Sequence, residues 1–323
     1  MTPETFARVR HKLRVAPSTF LYSKGDYAFQ LLHRQVGAGA SARVLKSSGY
    51  RALLHQPRVQ GALSGSGILD QGDCERAQHK GKEHAFPVSW RAWGRARKPA
   101  WQRRHHQMAR PGLNLVLQLN LPHAHLRDFR ALCGPKHRDP FNHVHHPARR
   151  SGDVTLAWAR LDLDLGTREA LIEELQSDWI NNAKDDYAWG CIDDLNYQAP
   201  EHRRDLYFKY VLKEMQQLWA EALLSAALYM LCEILRLRHI YIYDYATGCG
   251  FKTGSVKHPV GPVSLYEKLP KAFCMEKREI VPDFLAEAFE DEDVLKAFYA
   301  HTPRFWSLQS RGSVIAPAAR KAA

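Results

Sequence analysis

The run WAEALLSAALYMLCEILRL, residues 219–237, is apolar almost all round, and after Arg238 it leads straight into HIYIYDY, residues 239–245. A stretch of that length and character is either a membrane span or a helix packed on a sheet and covered again on its outer side. Glu221 and Glu233 would be costly in lipid, so the buried helix is the expected form, with no membrane partner. The segment that follows is apolar on both faces, Ile240 and Ile242 on one and Tyr241 and Tyr243 on the other, as in a central strand. Upstream, LIEELQSDW (171–179) also has strand character. Strand, long helix, strand is a βαβ unit, whose crossover is nearly always right-handed and whose strands run parallel. This order dictates an α/β fold with a mixed sheet. It also places Asp178 and Asp244 at the carboxyl ends of two parallel strands, where open α/β sheets bind ligands.

The surrounding sequence fills in the sheet. GLNLVLQLNL (112–121) alternates as a strand, HAHLRDFRALCG (123–134) has helical spacing with a glycine stop, and residues 153–179 form a hairpin across Gly166-Thr167. In its first strand the apolar phase shifts between Trp158 and Leu161, which a bulge near Ala159 reconciles. Helical patterns occupy 2–14, 25–36 and parts of 41–63, then 263–273 and an acidic stretch from Pro282, with a last strand at 304–309. Three parts are expected: a basic, mainly helical N-terminal region (1–110), an α/β domain (111–310) and a flexible tail (311–323). Charge follows this division, because residues 1–110 carry 20 Lys+Arg against 6 Asp+Glu while the whole chain is only +12. Basic residues punctuate the first turns before any signal-like apolar run can form, and the six cysteines include no C-x-x-C pair. A cytoplasmic protein without a zinc ribbon or disulfide framework is expected.

Three groups of residues carry possible chemistry. On two-residue alternation Ile172, Glu174, Gln176 and Asp178 share one strand face. That polar row is a solvated surface, a buried hydrogen-bond network that fixes a neighbouring loop, or a line of groups facing a cleft; its place at the ligand-binding end of the sheet is what speaks for the cleft. The stretch SWRAWGRARKPAWQRRHHQMARPG (89–112) interleaves Trp90, Trp93 and Trp101 with basic side chains. Arg91, Arg95, Arg97, Arg103 and Arg104 suit a nucleic-acid backbone with indoles stacked on bases, unless this is simply a solvated basic face. His123, His125, His137, His143, His145 and His146 crowd one region, but no Glu or Cys completes a ligand set at a recognisable interval, so no metal site is expected.

The segments EELQSDW, LLSAALYMLCEILRLRHIYIYD and SLYEKLPKAF resemble, in this order, a group of bacterial and phage-encoded proteins with an E-x-Q-S-D-W segment. More remotely, residues 111–310 resemble the GNAT (Gcn5-related N-acetyltransferase) fold: a hairpin, a central helix, a strand, and a helix with the pattern Leu-Tyr-x-Lys-Leu. The resemblance implies acyl transfer from a thioester such as acetyl-coenzyme A or another acyl-coenzyme A to an amine of a small molecule or protein. Glu174 would be the general base and Tyr266 the general acid. Asp178 and Gln176 would orient the amine or a water, and Trp179, Asp244 and Thr247 would complete the cleft. The chain departs from the family at the glycine-rich loop that cradles the coenzyme pyrophosphate: QQLWAEA (216–222) holds the corresponding place, with Trp219 at the first glycine. The alternative implied is a catalytically silent member of the fold, a binding module of a mobile-element or phage-related protein whose basic region contacts nucleic acid or an acidic partner.

Overall fold

Runs that alternate, or are apolar on both sides, fold as strands. The computed structural model describes residues 1–65, 67–78, 80–95, 108–133, 146–147, 154–189, 209–257, 261–298 and 301–309. Among them are β1 (Thr19–Tyr22), β2 (Ala40–Ser41), β3 (Ile68–Leu69), β4 (His84–Arg95), β5 (Gly112–Asn120), β6 (Thr155–Asp164), β7 (Glu169–Gln176), β8 (His239–Tyr243), β9 (Glu276–Arg278) and β10 (Phe305–Gln309). Eight form one mixed sheet in the order β1-β4-β5-β6-β7-β8-β10-β9, while β2 and β3 pair separately. In the large sheet only β7 and β8 pair in parallel, as the βαβ pattern requires.

The connection between those two strands includes the helix Gln216–Tyr229, extended by π-helical turns at Val211–Met215 and Met230–Ile234. It lies against β5, β6 and β7 on one side and against the Asp26–Val36 helix on the other. Cover from both sides explains why Leu223, Leu224, Ala226, Ala227, Met230 and Leu231 are all fully buried, and hence why the sequence is apolar all round. By length and composition Lys213–Ile234 could cross a bilayer; here it is the central core helix.

The two sheet faces differ sharply. Cross-strand partners place Leu115, Leu117, Ala159, Leu161, Ile172, Leu175, Ile242 and Trp306 on the face toward the core helix. The opposite face carries Asn114, Gln118, Asn120, Arg160, Asp162 and Glu174, which are equally buried. The hairpin contains two irregularities: Leu156 is the extra residue of β6 against β5, in the expected strand though a few positions before Ala159, and Glu173 is the extra residue of β7 against β6. Arg160 pairs with Glu174 and Leu161 with Ile172. With Ile172 and Leu175 on the core side, Glu173 and Glu174 both project to the polar face, so the simple alternation that grouped Ile172 with Glu174 fails at this bulge.

The N-terminal region differs from the expected helical extension. Its helices are present at Pro3–Lys12, Asp26–Val36, Ala42–Lys46, Pro57–Leu63 and Gln71–Ala77, but β1 and β4 also come from it and continue the main sheet beyond β5. In β4, Val88, Trp90 and Ala92 alternate with Ser89, Arg91 and Trp93, a strand pattern hidden by the concentration of charge just after it.

Candidate active site

E-x-Q-S-D-W straddles the end of β7 and the start of the helix Asp178–Trp189. Ser177 is the capping residue: its Oγ accepts from the Ile180 N–H at 3.1 Å and donates to the Leu156 carbonyl at 2.6 Å. Asp178 therefore opens a helix rather than ending a strand. Trp179 points into the main core, fully buried with its ring 5.1 Å from Phe129, so it packs the core where the resemblance implied a substrate contact. Ser177→Ala is expected to cost about 0.5–2 kcal/mol in a urea titration, the usual worth of a cap.

Glu174 sits in a buried ion cluster. Its Oε1 is 2.9 Å from Lys252 Nζ and its Oε2 is 3.1 Å from Arg160 Nη2, and Lys252 Nζ is in turn 3.2 Å from the Tyr266 hydroxyl. Tyr266 is itself buried, and its carbonyl accepts from Trp306 Nε1 at 2.7 Å. Glu174 and Tyr266 are thus brought together, with Lys252 between them. Beyond the Ile172–Ile242 pair, β7 and β8 no longer register against each other, and the cluster lies at this divergence. Burial raises the Glu174 pKa, but Lys252 and then Arg160 outweigh it, leaving the carboxyl below its ordinary value. A general base needs the opposite shift, so this geometry contradicts the basis for Glu174 as the proton acceptor.

Its neighbour behaves the other way. Glu173 accepts from Ala109 N–H at 2.7 Å, Asn114 Nδ2 at 2.6 Å and Arg160 Nε at 2.9 Å. Burial nevertheless pushes its pKa up to about 7 against the pull of Arg160, with Asp162 adding repulsion. Between the ordinary 4.5 and about 7 the unfolded chain has released a proton that the folded chain retains, so this contribution to stability falls as pH rises through that window. Glu173→Gln is expected to flatten the dependence of the urea midpoint on pH between 5 and 7; an unchanged slope would assign it to other groups.

A second polar group lies on the same sheet face. Asp178 is buried, and its Oδ1 lies 2.8 Å from Nδ1 of His146, whose side chain is 34% exposed. Gln176 donates from Nε2 to the same carboxylate and is 3.0 Å from the same ring nitrogen. Gln176 stands opposite Trp158 of β6, and the Trp158 ring is 5.6 Å from that of His146. Gln176 and Asp178 do share a site, completed by His146, which belonged to the histidine cluster for which no metal site was expected.

The remaining expected residues have local roles. Asp244 caps the Tyr245–Thr253 helix by accepting from the Thr247 N–H at 2.9 Å, and Thr247 Oγ1 accepts from the Arg304 N–H at 2.9 Å. This capping pair stabilises the helix that presents Lys252, instead of lining a cleft. The Leu-Tyr-x-Lys-Leu segment is two short helices, Val263–Tyr266 and Lys268–Ala272, broken at Glu267. Residues 216–222 are helix interior, where backbone N–H groups are already committed, so they do not fit a pyrophosphate. Arg91 is exposed on β4, while Trp90 and Trp93 lie on its opposite faces. Arg97, Arg103 and Arg104 lie outside the described residues, as does the side chain of Arg95. His123 and His125 are described, whereas His137, His143 and His145 are not; among the described residues no group of three His, Cys, Asp or Glu side chains is placed to hold a metal.

Comparison of the chain with protein-family models, curated proteins and solved structures gives no match. Lys252, Arg160 and His146 are the site residues that sequence reading missed. One signal was present for Lys252: Asp244 and Gly254, the latter at φ +73°, bracket its helix as an N-cap and a left-handed C-cap.

Proposed function

We propose that the chain is an acyltransferase of GNAT-like architecture that moves an acyl group from a thioester to an amine, with His146 as the general base in place of Glu174. The observation that carries this reading is the 2.8 Å contact between Asp178 and His146 Nδ1 where β7 gives way to the Asp178–Trp189 helix. An unprotonated Nδ1 would oppose two lone pairs at that distance. Asp178 favours a proton on Nδ1, and Gln176 Nε2, which can only donate, is then directed to the Asp178 carboxylate and not to the ring; on this tautomer Nε2 is the basic nitrogen. The amine would attack the thioester carbonyl and pass its proton to Nε2, and the departing thiolate would take that proton back. Glu174, Lys252 and Tyr266 act as the buried ionic support beside this pair. Hairpin β6–β7, the core helix, parallel β8 and the Leu265-Tyr266-x-Lys268-Leu269 segment follow one another in the order the resemblance implies, which supports the architecture.

Because residues 216–222 do not suit a coenzyme pyrophosphate, the test uses acetyl-coenzyme A and the short thioester S-acetyl-N-acetylcysteamine in parallel, with a panel of amines. Turnover of either donor that is lost in His146→Asn is expected. Absence of turnover with both would overturn the reading.

One observation favours the silent binding module. Glu174 and Tyr266, the pair implied to be base and acid, are both held by Lys252. If the chain is that module, its affinity for a single-stranded oligonucleotide falls steeply with salt and weakens when Arg91, Arg95, Arg97, Arg103 and Arg104 are replaced. A flat salt response removes this alternative.

A further inference from the structure

Buried polar side-chain atoms nearly always have a hydrogen-bond partner, and the exceptions call for a physical reason. Trp158 Nε1 is such an exception: the side chain is among the largest fully buried ones, and its N–H has no partner among the described residues. Leaving an indole donor unpaired in the interior is costly, and a nonpolar ring of similar size would avoid the cost. The position is not arbitrary. Trp158 projects from β6 on the polar face, directly across from Gln176, with its ring 5.6 Å from the partly exposed imidazole of His146. Asp178 holds that imidazole at Nδ1, and Gln176 donates to Asp178.

We infer that Trp158 is a further catalytic residue, donating its indole N–H to the carbonyl oxygen of the acyl donor as that oxygen becomes an anion. The inference rests on the reading of His146 as base. When the amine nitrogen bonds to the carbonyl carbon, His146 Nε2 takes the amine proton and the carbonyl π pair moves onto oxygen. Trp158 N–H then stabilises this oxyanion. As the pair returns to reform the carbonyl, the C–S bond breaks and the thiolate leaves with the proton from the imidazolium. A donor already oriented in a buried site needs no reorganisation as the charge appears, which is the condition under which such donors act most strongly. The substrate class this pairing recognises is an activated acyl compound, and nothing in it depends on a nucleotide carrier.

The test uses p-nitrophenyl acetate, an activated acyl donor without a pyrophosphate, and the full chain as wild type, Trp158→Phe and His146→Asn. Phenylalanine keeps a buried ring and removes the N–H. Loss of about 10²–10³-fold in kcat with little change in KM is expected for Trp158→Phe, the usual effect of deleting one oxyanion donor. Unchanged kcat in Trp158→Phe together with loss in His146→Asn would overturn the inference and leave the base in place, the indole then serving a structural water only. No turnover by wild type, or turnover indifferent to His146→Asn, would overturn both. Should Trp158→Phe not fold, wild-type protein labelled with ¹⁵N at the indole nitrogens decides the matter. Saturation with the oxyanion mimic acetohydroxamate should shift the Trp158 N–H resonance downfield, and an unmoved resonance counts against donation.

Discussion

Replacement of Lys252 by methionine is expected to lower the free energy of unfolding by about 3–5 kcal/mol, read as a large drop in the urea midpoint. The side chain is buried and its ammonium lies 2.9 Å from Glu174 and 3.2 Å from the Tyr266 hydroxyl. Methionine reproduces the four-atom apolar stem of lysine without the ammonium, so the loss reports the charge more than the packing. What remains is a buried carboxylate whose other cation, Arg160, is shared with Glu173. Removing one partner of a buried pair is far more harmful than removing both, so Glu174→Gln should cost less in the Lys252→Met background than in wild type. Equal costs in the two backgrounds would show that the two groups do not interact energetically. The pH dependence has a defined sign. A carboxyl whose folded pKa is depressed contributes stability above its unfolded value, and this is lost as pH falls through the folded value. For Glu174 the loss occurs at and below the ordinary 4.5, whereas for Glu173 the fall with rising pH lies between 4.5 and about 7. Two adjacent glutamates thus tilt the stability curve in opposite directions at different pH, a pattern that Lys252→Met should remove only on its acid side.

The parts of this fold that were legible in the sequence are those governed by local periodicity. Ile240 to Tyr243 and the core helix follow from spacing, and the hairpin does in outline, its strands being Thr155–Asp164 and Glu169–Gln176. The bulge at Glu173 was not legible in its place, since one inserted residue changes which face every later side chain occupies while leaving composition untouched. β4 was missed because charge density after Arg91 dominates its composition, although the alternation around Trp90 is regular. For the site, the polar row indicated the correct region: Gln176 and Asp178 share a group, and Glu174 meets Tyr266 through Lys252. Its ionisation was not legible. Lys252 and Arg160 reach Glu174 from elements 78 and 14 positions away in sequence, and whether a carboxylate is raised by burial or lowered by cations depends on such neighbours. His146 meets Asp178 across 32 positions, which no sequence spacing encodes.

The second large effect concerns that histidine. If the proposed acyl transfer is the activity, Asp178→Asn is expected to lower its kcat by about 10²–10⁴-fold, the range in which a misplaced general base acts. Asparagine preserves shape but reverses the hydrogen bond. Aspartate accepts a proton from Nδ1, whereas the amide of asparagine can donate to it, which shifts the ring proton to Nε2 and leaves no lone pair facing the substrate. The same change also removes a negative charge from the first position of the Asp178–Trp189 helix, but at a helix N-terminus this is worth only about 0.3–1 kcal/mol. Ser177, the residue that caps the helix, is untouched. Stability and turnover therefore separate: a small change in the urea midpoint alongside a large loss of kcat identifies Asp178 as the group that sets the tautomer. His146→Asn should match that loss, and the double variant should be no worse than either single one, because the two residues act as a unit. If Asp178→Asn instead retains wild-type kcat, the 2.8 Å contact is a structural tie between the helix start and the His146 segment, and the base must be sought elsewhere on the polar face.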